Sequence, residues 1–516
     1  MKRLIPLCFA LLKFVSGYFL ISPGYDLQRD EYLYLNQGLH LAWGYLEVPP
    51  LIAAQGWLTL ALGGGEGWVH FWPFLWGAAT VYLVGRLAQR LGGGWFAQSL
   101  ACTCYLGTGF ARLNILFQPN SFEVFGFMFC LYWLVRFLQE GRARYLYLIG
   151  IGLGLGLLNK YTTLFFMAAL GGALLLLTPS RRLLLNRHFW GAVGLAGLLW
   201  LPNVLWQLRH GIPFLHHMAL LHDSQLVHVE AAGFWKDQLL MCVAASWVWM
   251  PGLLALLLGR TFRPYRAVGW VAVLGVALLA ALHGKSYYAL GYYPVLFAFG
   301  AVWWETRIAQ WGELRNFRWK TALRPVLVVL PLAFVVMYLP LMFPVRSPAA
   351  MATLHARYAH LGVYRWEDGR DHPLPQDYAD MLGWRELADK TWAAYQTLPD
   401  SVRAHTLISC GNYGQASAIN YYNRTRPMPR ASSMNGSYLF WYPALDHCQA
   451  VIIVDDEPTD EVAPHFASLR RFGAIANPYA REQGTAISIG LRPDSAIRAQ
   501  VRQEWRTSMA AWEGQP

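Results

Sequence analysis

Residues 325–343 read PVLVVLPLAFVVMYLPLMF and contain no charged side chain. A helix of this length and composition can span the hydrocarbon core of a bilayer. Apolar runs of similar length recur from Leu4 to Phe343, whereas the chain after Phe343 has the mixed composition of a globular domain. The sequence therefore predicts a membrane domain over residues 1–343, followed by a domain in water over residues 344–516.

The composition of the whole chain supports a membrane protein. Hydrophobic residues make up 55% of the 516 residues and charged residues only 14%, whereas a soluble protein has about 25% charged residues. Hydropathy predicts about eleven transmembrane helices. They cover residues 4–22, 69–88, 95–112, 120–138, 145–158, 162–177, 188–206, 238–258, 267–283, 290–304 and 324–343.

The net charge of +12 is unevenly distributed over the predicted loops. Alternate loops hold 18 Lys and Arg residues on one side of the membrane and 6 on the other. Positively charged loops of membrane proteins lie in the cytoplasm, so the basic excess indicates topology and not nucleic-acid binding. An odd number of helices then places the N-terminus inside and the C-terminal domain outside a bacterial inner membrane.

The terminal domain has the pattern of a small α/β fold. Apolar strands are predicted at Thr406–Cys410 and Ala450–Asp455, with a turn and a helix after the first strand and polar helical sequence at 377–398. Cys410 and Cys448 are expected outside the cytoplasm, where disulfides persist. Their spacing leaves pairing open.

The first predicted outer loop carries two adjacent carboxylates, Asp30 and Glu31, directly after the first span. Further residues continue at helical spacing, namely Tyr34, Gln37, Gly38 and Leu41. This pattern predicts an amphipathic helix lying on the membrane surface. The two carboxylates either complement the positive end of the helix dipole or take part in chemistry.

More charged residues occur at the predicted outer face. Glu47 precedes Pro49 and Pro50, which hold the chain extended. Glu123 lies near the outer end of the fourth span, where a carboxylate is costly and is a functional candidate. Lys160 and Lys285 lie at the outer ends of other spans, where a lysine either snorkels to water or binds an anion. The sequence thus predicts a polar site at this face.

Four glycines with a spacing of two residues, Gly150, Gly152, Gly154 and Gly156, superficially resemble a phosphate-binding loop. The spacing matches neither nucleotide-binding pattern. It gives two small-xxx-small pairs instead, which let membrane helices approach closely. We therefore predict helix packing here, and no nucleotide cofactor.

A later outer loop is rich in histidine, a common zinc ligand. It contains His210, His216, His217, His222 and His228, with Asp223 and Glu230 nearby. The spacing matches no structural metal motif. No cofactor is predicted, and a divalent metal ion stays open.

Five motifs, in this order, resemble bacterial members of the protein-mannosyltransferase superfamily. They are Arg29-Asp-Glu31, Gly44-Tyr-Leu-Glu-Val-Pro-Pro-Leu51, Gly156-Leu-Leu-Asn-Lys-Tyr161, Lys285-Ser-Tyr-Tyr288 and Gly411-Asn-Tyr-Gly-Gln-Ala416. These proteins are GT-C fold glycosyltransferases and relatives of the aminoarabinose transferase that modifies lipid A. The resemblance extends over the whole chain.

The resemblance implies a cavity at the outer membrane face, where a lipid-phosphate sugar meets an acceptor. The family's catalytic carboxylate corresponds to Asp30, beside Glu31, and its second acidic position, often Asp, is Glu123 here. The aminoarabinose enzymes have Glu-Lys before the two prolines, but this chain has Glu47 and Val48, so one cation is missing. The expected substrate-binding residues are Tyr45, Glu47, Lys160, Lys285, Tyr287 and Tyr288.

The chemistry of such a transfer fits these residue types. A sugar phosphodiester already has a good leaving group, so the reaction needs a base for the acceptor hydroxyl and cations for the departing phosphate. The resemblance, with which these residue types agree, therefore implies a glycosyltransferase in contact with membrane lipids. Its donor is expected to be a polyprenyl-phosphate sugar, and its acceptor lipid A, another glycolipid or a protein. The alternatives are a transporter or flippase for such lipids and a noncatalytic envelope-assembly protein.

The predicted topology can be tested by fusing alkaline phosphatase after Pro516. We expect an active fusion, because the charge asymmetry and the odd span count place the C-terminus outside the cytoplasmic membrane. A fluorescent reporter that folds only in the cytoplasm is the matched control. An inactive phosphatase fusion together with a fluorescent reporter fusion would contradict the topology.

Overall fold

The computed structural model describes residues 4–177, 181–224, 231–314, 320–445, 447–457 and 461–512. The chain forms two compact units. The first comprises Met1–Ile21, His70–Leu205 and Leu220–Val345, and the second comprises Ser22–Val69, Trp206–Ala219 and Arg346–Pro516. The second unit therefore includes two segments that the predicted division at residue 343 assigns to the membrane domain.

The secondary structure of the first unit, where the structure describes it, is helical. A backbone in lipid must satisfy its own hydrogen bonds, and a helix does so within one segment. Each of the eleven predicted spans coincides with a helix or a pair of helices. Their bounds are Ile5–Gly17, Glu66–Arg90, Trp95–Leu106 with Phe110–Leu113, Pro119–Glu140, Arg144–Asn159, Thr163–Leu176, Arg187–Arg209, Ala231–Met241 with Ser246–Leu258, Arg266–Ala281, Tyr293–Leu314 and Lys320–Met342.

Four helices in the described residues are long and apolar enough to cross a membrane by themselves. They are Pro119–Glu140, Arg187–Arg209, Arg263–Ala281 and Ala322–Met342. A fifth crossing results if Ala232–Met241 and Val243–Leu258, which meet at 57°, form one broken span. The count of eleven crossings stays a prediction.

The glycine-rich helix Arg144–Asn159 packs closely against its neighbours, as predicted. A Cβ atom added to Gly152 would lie 2.7 Å from the sulfur of Cys130, and one added to Gly154 would lie 2.8 Å from Cβ of Leu199. These separations are too short for ordinary van der Waals contact. The glycines therefore serve helix packing in the first unit.

The second unit is built on a five-stranded mixed sheet. Its strands are β1 (Thr406–Cys410), β2 (Ala431–Ser433), β3 (Ala450–Asp455), β4 (Phe466–Ala474) and β5 (Ala486–Pro493), in the order β2-β1-β3-β5-β4. Strand β1 is parallel to β2 and β3, whereas β5 is antiparallel to β3 and β4. The predictions of β1 and β3 are confirmed, but β2, β4 and β5 were not predicted. Cys410 and Cys448 are free thiols.

Along the chain, helices precede, separate and follow the strands of this sheet. They are Arg29–Leu39, Leu51–Ala61, Pro213–Ser224, Trp384–Gln396, Tyr413–Tyr422 and Ser495–Trp512, besides shorter turns. The helix predicted after β1 is the Tyr413–Tyr422 helix, and the polar sequence at 377–398 contains the Trp384–Gln396 helix. Both predictions are confirmed.

The Arg29–Leu39 helix corrects one prediction. Eight of its eleven residues are buried, from Glu31 to Gly38, so it is not an amphipathic helix on a membrane surface. It contacts the Leu51–Ala61 helix and the Tyr413–Tyr422 helix. Its polar side chains from Glu31 to Gln37 are therefore covered by protein, and the sequence pattern could not distinguish this cover from water.

The contact between the Arg29–Leu39 and Leu51–Ala61 helices depends on two glycines. A Cβ added to Gly38 would lie 2.5 Å from the backbone nitrogen of Trp57, and one added to Gly56 would lie 2.5 Å from the carbonyl oxygen of Tyr34. Backbone atoms cannot move aside as side chains do. The two helices therefore approach as closely as they do only because both positions lack a Cβ.

Gly38→Ala is expected to destabilise the second unit by about 1–3 kcal/mol, the usual cost of overpacking. The measurement is the thermal unfolding midpoint of the purified chain in detergent. Gly67→Ala is the matched control, because a Cβ there would meet no atom within 4 Å and alanine favours the helix by about 1 kcal/mol. Equal midpoints for Gly38→Ala and the unsubstituted chain would contradict the role of this contact.

Candidate functional site

A capping box fixes the first turn of the Arg29–Leu39 helix. The side-chain oxygen Oε1 of Gln28 accepts a hydrogen bond from the backbone N–H of Asp30 at 2.9 Å. In return, Oε2 of Glu31 accepts one from the backbone N–H of Gln28 at 2.7 Å. The arrangement satisfies N–H groups that a helix start leaves unpaired. Glu31 is fully buried, and its carboxylate stabilises the helix start.

Asp30 has different surroundings from Glu31. Its side chain remains 26% exposed, and its Oδ1 atom accepts a hydrogen bond from the Tyr413 hydroxyl at 2.8 Å. The Nε atom of Arg29 lies 3.6 Å from the same oxygen. Asp30 is therefore a carboxylate that is held in place and still reaches solvent.

Tyr413 is a hydrogen-bond partner of Asp30 that sequence analysis does not predict. Burial, together with the neighbouring carboxylate of Asp30, raises the pKa of Tyr413 well above its usual value, so its hydroxyl keeps its proton and donates. The guanidinium of Arg29 lies 5.3 Å from the centre of the Tyr413 ring. The sequence signal for this contact is the motif Gly411-Asn-Tyr-Gly, which by itself does not indicate a role for the tyrosine.

Gly414, the next residue of this motif, leaves room for the Arg29 side chain. A Cβ added to Gly414 would lie 2.5 Å from Cγ of Arg29. Asn412 begins the Tyr413–Tyr422 helix with a second capping box, in which it accepts from the N–H of Gln415 at 3.1 Å. The motif thus starts a helix and leaves space for the Arg29 side chain.

Glu47 joins the first loop to the segment after β2. Its Oε1 accepts from the backbone N–H of Ser437 at 2.7 Å, and its Oε2 accepts from the Ser437 hydroxyl at 2.5 Å and from Nε2 of Gln37 at 3.0 Å. Burial raises the pKa of Glu47, and the hydrogen bonds from Ser437 oppose that change. Its carboxylate is thus occupied by protein donors.

Tyr45 has a comparable structural position. Its buried hydroxyl donates to the carbonyl oxygens of Gln37 at 3.1 Å and His40 at 3.0 Å, and accepts from the backbone N–H of Ala42 at 3.1 Å. These bonds close the turn between the Arg29–Leu39 helix and the two prolines. The hydroxyl therefore holds the loop together.

The first unit holds a second polar cluster. Nζ of Lys160 lies 3.0 Å from Oε2 of Glu123 and donates to Oδ1 of Asn120 at 2.7 Å. The hydroxyl of Thr162 donates to the other oxygen of Glu123. Glu123 is only 4% exposed and Lys160 16%. The carboxylate and the ammonium therefore compensate each other where water is largely excluded.

Two tyrosines complete this cluster. Nζ of Lys160 lies 4.2 Å from the ring centre of Tyr288 and 5.3 Å from that of Tyr287, which are distances for cation–π attraction. Lys285 directly precedes the short helix Ser286–Tyr292, which carries both tyrosines. The structure thus brings together Lys160, Glu123, Tyr287 and Tyr288 in one group.

The predicted site residues fall into two sets. Asp30, Glu31, Tyr45 and Glu47 belong to the second unit, and a further set belongs to the first. The first-unit set comprises Glu123, Lys160, Lys285, Tyr287 and Tyr288. Their expected convergence at one face stays a prediction.

The histidine-rich loop contributes no metal cluster within the described part of the chain, where no three His, Cys, Asp or Glu side chains are placed to hold an ion. His210 stacks on Trp206 with 4.2 Å between ring centres. His216 packs edge-on against Trp512. Four side chains of the predicted set lie outside the described residues: His222, Asp223, His228 and Glu230.

Comparison with known proteins gives a family match over part of the chain and a fold over nearly all of it. Residues 47–206 match the family described as dolichyl-phosphate-mannose-protein mannosyltransferase. No curated protein sequence matches the chain significantly.

Two solved structures are similar over nearly the whole chain. Crystal structures of ArnT from Cupriavidus metallidurans, bound to undecaprenyl phosphate and in the apo state, superpose with TM-scores of 0.60 and 0.58 at 14% identity. Both comparisons cover 94% of this chain and 97% of the ArnT chain. At this identity the similarity establishes a shared fold.

The family match supports a glycosyltransferase and confirms the resemblance that the five motifs indicated. Residues 47–206 match the dolichyl-phosphate-mannose-protein mannosyltransferase family, and the chain that contains them has a fold similar to that of ArnT.

Proposed function

We propose that this chain is an integral membrane glycosyltransferase that moves a monosaccharide from a polyprenyl-phosphate donor to an extracytoplasmic acceptor. The observation that carries the proposal is Asp30, a partly exposed carboxylate held by Tyr413 and Arg29. The family domain at 47–206 supports glycosyl transfer. The ArnT relative was crystallised with undecaprenyl phosphate, which supports a donor of that chemical class.

Asp30 is proposed as the general base. Single displacement at a sugar phosphodiester needs removal of one proton from the acceptor hydroxyl as its oxygen attacks the anomeric carbon. A base of this kind must be accessible to the acceptor and fixed in orientation. Asp30 meets both conditions, whereas the neighbouring Glu31 is buried and used in the capping box. We therefore assign Glu31 to positioning.

Lys160 and Lys285 are proposed to stabilise the phosphate that leaves the sugar, because cations lower the free energy of the developing anion. Glu123, Asn120 and the Tyr288 ring hold the ammonium of Lys160 in one place. Glu123 is thus proposed as a positioning residue for Lys160. Tyr287 and Tyr288 supply ring faces for the sugar or the prenyl chain.

The remaining predicted binding residues are proposed to shape the first loop. Glu47 bonds to Ser437 and Gln37, and Tyr45 bonds to backbone groups of its own loop. Their contribution to substrate binding is then indirect. We propose lipid A or another surface glycolipid as the acceptor before a protein, and a bacterial inner membrane as the location.

Turnover of a labelled polyprenyl-phosphate sugar by the purified chain tests the proposed function. Release of free polyprenyl phosphate, dependent on an added acceptor extract, is expected. Donor binding without release would favour a transporter or a noncatalytic envelope protein. Comparison of envelope glycolipids from cells with and without the gene would then identify the acceptor.

Asp30→Asn is expected to lower turnover by about 10²- to 10⁴-fold, the usual contribution of a positioned base, while donor binding is retained. Tyr413→Phe should lower turnover less, because it removes only the hydroxyl that orients Asp30. Glu31→Gln should be milder than Asp30→Asn, and Glu123→Gln should fall between them. The measurement is turnover by variants with matched thermal stability.

The matched control for this series is Asp400→Asn, an exposed carboxylate of the second unit whose ion pair with Arg403 is local. Its turnover should equal that of the unsubstituted chain. Near-normal turnover by Asp30→Asn, with Glu31→Gln or Glu123→Gln inactive, would assign the base to another carboxylate. Full activity in Asp30→Asn, Glu31→Gln and Glu123→Gln would contradict a catalytic role for any of these three carboxylates.

Lys285→Ala is expected to weaken donor binding by about tenfold, because a lost hydrogen bond to a charged group has that effect on affinity. Acceptor affinity should change much less. Lys236→Ala is the control, since Lys236 is an exposed lysine in the Ala231–Met241 helix of the same unit. Unchanged donor affinity in a folded Lys285→Ala chain would mean that the ammonium of Lys285 extends into water and does not bind the donor.

A further inference from the structure

The connection between strands β4 and β5, residues 475–485, is bonded to the second unit at both ends. The carboxylate of Glu386 accepts a hydrogen bond from the backbone N–H of Ala476 at 2.8 Å. The N–H of Ile475 donates to the carbonyl oxygen of Thr485 at 3.1 Å, so the first and last residues of the connection also bond to each other. The side chains between them are therefore presented from a fixed backbone.

Glu482, in this connection, contacts both side chains of the capping box that begins the Tyr413–Tyr422 helix. Its Oε2 atom accepts from Nε2 of Gln415 at 2.7 Å and from Nδ2 of Asn412 at 3.3 Å. Because both amide nitrogens donate to the carboxylate, both amide oxygens are left to accept from backbone N–H groups at the helix start. Glu482 therefore fixes the orientation of the capping box.

Tyr413 is the first residue of the helix that this capping box begins. Its hydroxyl donates to Oδ1 of Asp30 at 2.8 Å. A tyrosine side chain has only two torsion angles, so its hydroxyl moves with the backbone of the turn that carries it. Glu482 thus acts on Asp30 through one helical turn and one tyrosine.

The preceding residue of the connection, Arg481, contacts a second segment of the unit, around Asp380. Nη1 of Arg481 lies 3.3 Å from each carboxylate oxygen of Asp380, whose side chain is only 2% exposed. The backbone N–H of Arg481 also donates to the carbonyl oxygen of Ala379 at 3.2 Å. Arg481 therefore holds this segment with both its side chain and its backbone.

Asp380 in turn contacts Arg29, the other partner of Asp30. The backbone N–H of Arg29 donates to the carbonyl oxygen of Asp380 at 3.2 Å. Burial raises the pKa of Asp380 to about 6, and the positive charges of Arg29 and Arg481 oppose this change. Both guanidinium groups therefore stabilise one buried carboxylate, and this shared partner links the position of Arg29 to that of Arg481.

We propose that the β4–β5 connection positions the two partners of Asp30. Glu482 acts on Tyr413 through the capping box, and Arg481 acts on Arg29 through the buried ion pair. Both are positioning residues, and their role in catalysis rests on the proposed function, in which Asp30 is the general base. Such support matters because misplacing a catalytic group by about 1 Å lowers a rate by up to about 10²-fold.

Glu482→Ala is expected to lower kcat about tenfold, within the cost of a misplaced catalytic group, and to leave the KM for the lipid donor nearly unchanged. Glu482→Gln should retain most of the turnover, since its amide oxygen still accepts from Gln415. Asp494→Ala is the matched control, because Asp494 accepts from the N–H of Ile497 at 2.9 Å in another helix, Ser495–Trp512. It should lower the unfolding midpoint and leave kcat unchanged.

Double variants separate the two paths. Glu482→Ala should lower kcat in the unsubstituted chain but not in a Tyr413→Phe chain, because the hydroxyl that Glu482 positions is then absent. Arg481→Gln should lower kcat in both chains, since it acts through Arg29, and Arg481→Lys should restore most of the loss by keeping the positive charge. Equal losses for Glu482→Ala in both chains would overturn the path through Tyr413, and unchanged kcat in Arg481→Gln would overturn the path through Arg29.

The contact between Tyr413 and Asp30 can also be followed without turnover, in the full-length chain with 3-fluorotyrosine in place of Tyr413. Asp30→Asn should shift the fluorine resonance, Glu482→Ala should shift it in the same direction, and Asp494→Ala should leave it in place. An unmoved resonance in Glu482→Ala would overturn the inference, whether or not the chain is a transferase. A shifted resonance in a chain without turnover would reject the proposed function and retain the connection as the support of this contact.

Discussion

The hydrogen bond from Tyr413 to Asp30 is the interaction on which the second unit's arrangement depends. It joins residues 383 positions apart in the sequence. The Arg29–Leu39 helix supplies the carboxylate, and the helix after β1 supplies the hydroxyl. Each helix begins with its own capping box, so both partners are positioned by local hydrogen bonds before they meet. The space for Arg29 at Gly414 lets the two helix starts approach.

The carboxylates of the two clusters differ in their hydrogen-bond and ion-pair partners. Glu31 accepts from Gln28, Glu47 accepts from Ser437 and Gln37, and Glu123 is paired with Lys160. Buried carboxylates need such partners, because an uncompensated charge away from water is costly. Asp30 has hydrogen-bonding partners and is also exposed to solvent. Among the predicted carboxylates, this combination supports Asp30 as the proposed general base.

Much of the fold could be predicted from local sequence patterns. Each apolar run that was predicted as a span coincides with a helix or a pair of helices. Strands β1 and β3 were predictable because they are short runs of apolar residues. Strand β4 escaped prediction because it is an exposed edge strand with two adjacent arginines, as edges often are. Strand β5 contains Gly490, where Phe466 packs closely, and glycine weakens a strand signal. Strand β2 has three residues, Ala-Ser-Ser, with no large apolar side chain.

The predicted site illustrates the limits of local patterns more clearly. The motifs located Asp30 and the Lys160 group, since charge in apolar sequence is conspicuous. They could not reveal that Tyr413 reaches Asp30 or that Ser437 occupies Glu47, because both contacts bridge more than 380 residues. For the same reason the Arg29–Leu39 helix was predicted to lie on a membrane, when protein covers it.

The composition of the second unit has a consequence for biosynthesis. Its first segment, Ser22–Val69, leaves the ribosome long before the sheet that completes the unit begins at Thr406. At roughly 5–20 residues per second, the buried tyrosines of the Arg29–Leu39 helix wait about 17–70 s for the Tyr413–Tyr422 helix, whereas the close contact at Gly38 and Gly56 joins two helices of the same segment. During that interval the helix carrying Asp30 lacks its cover and exposes apolar surface.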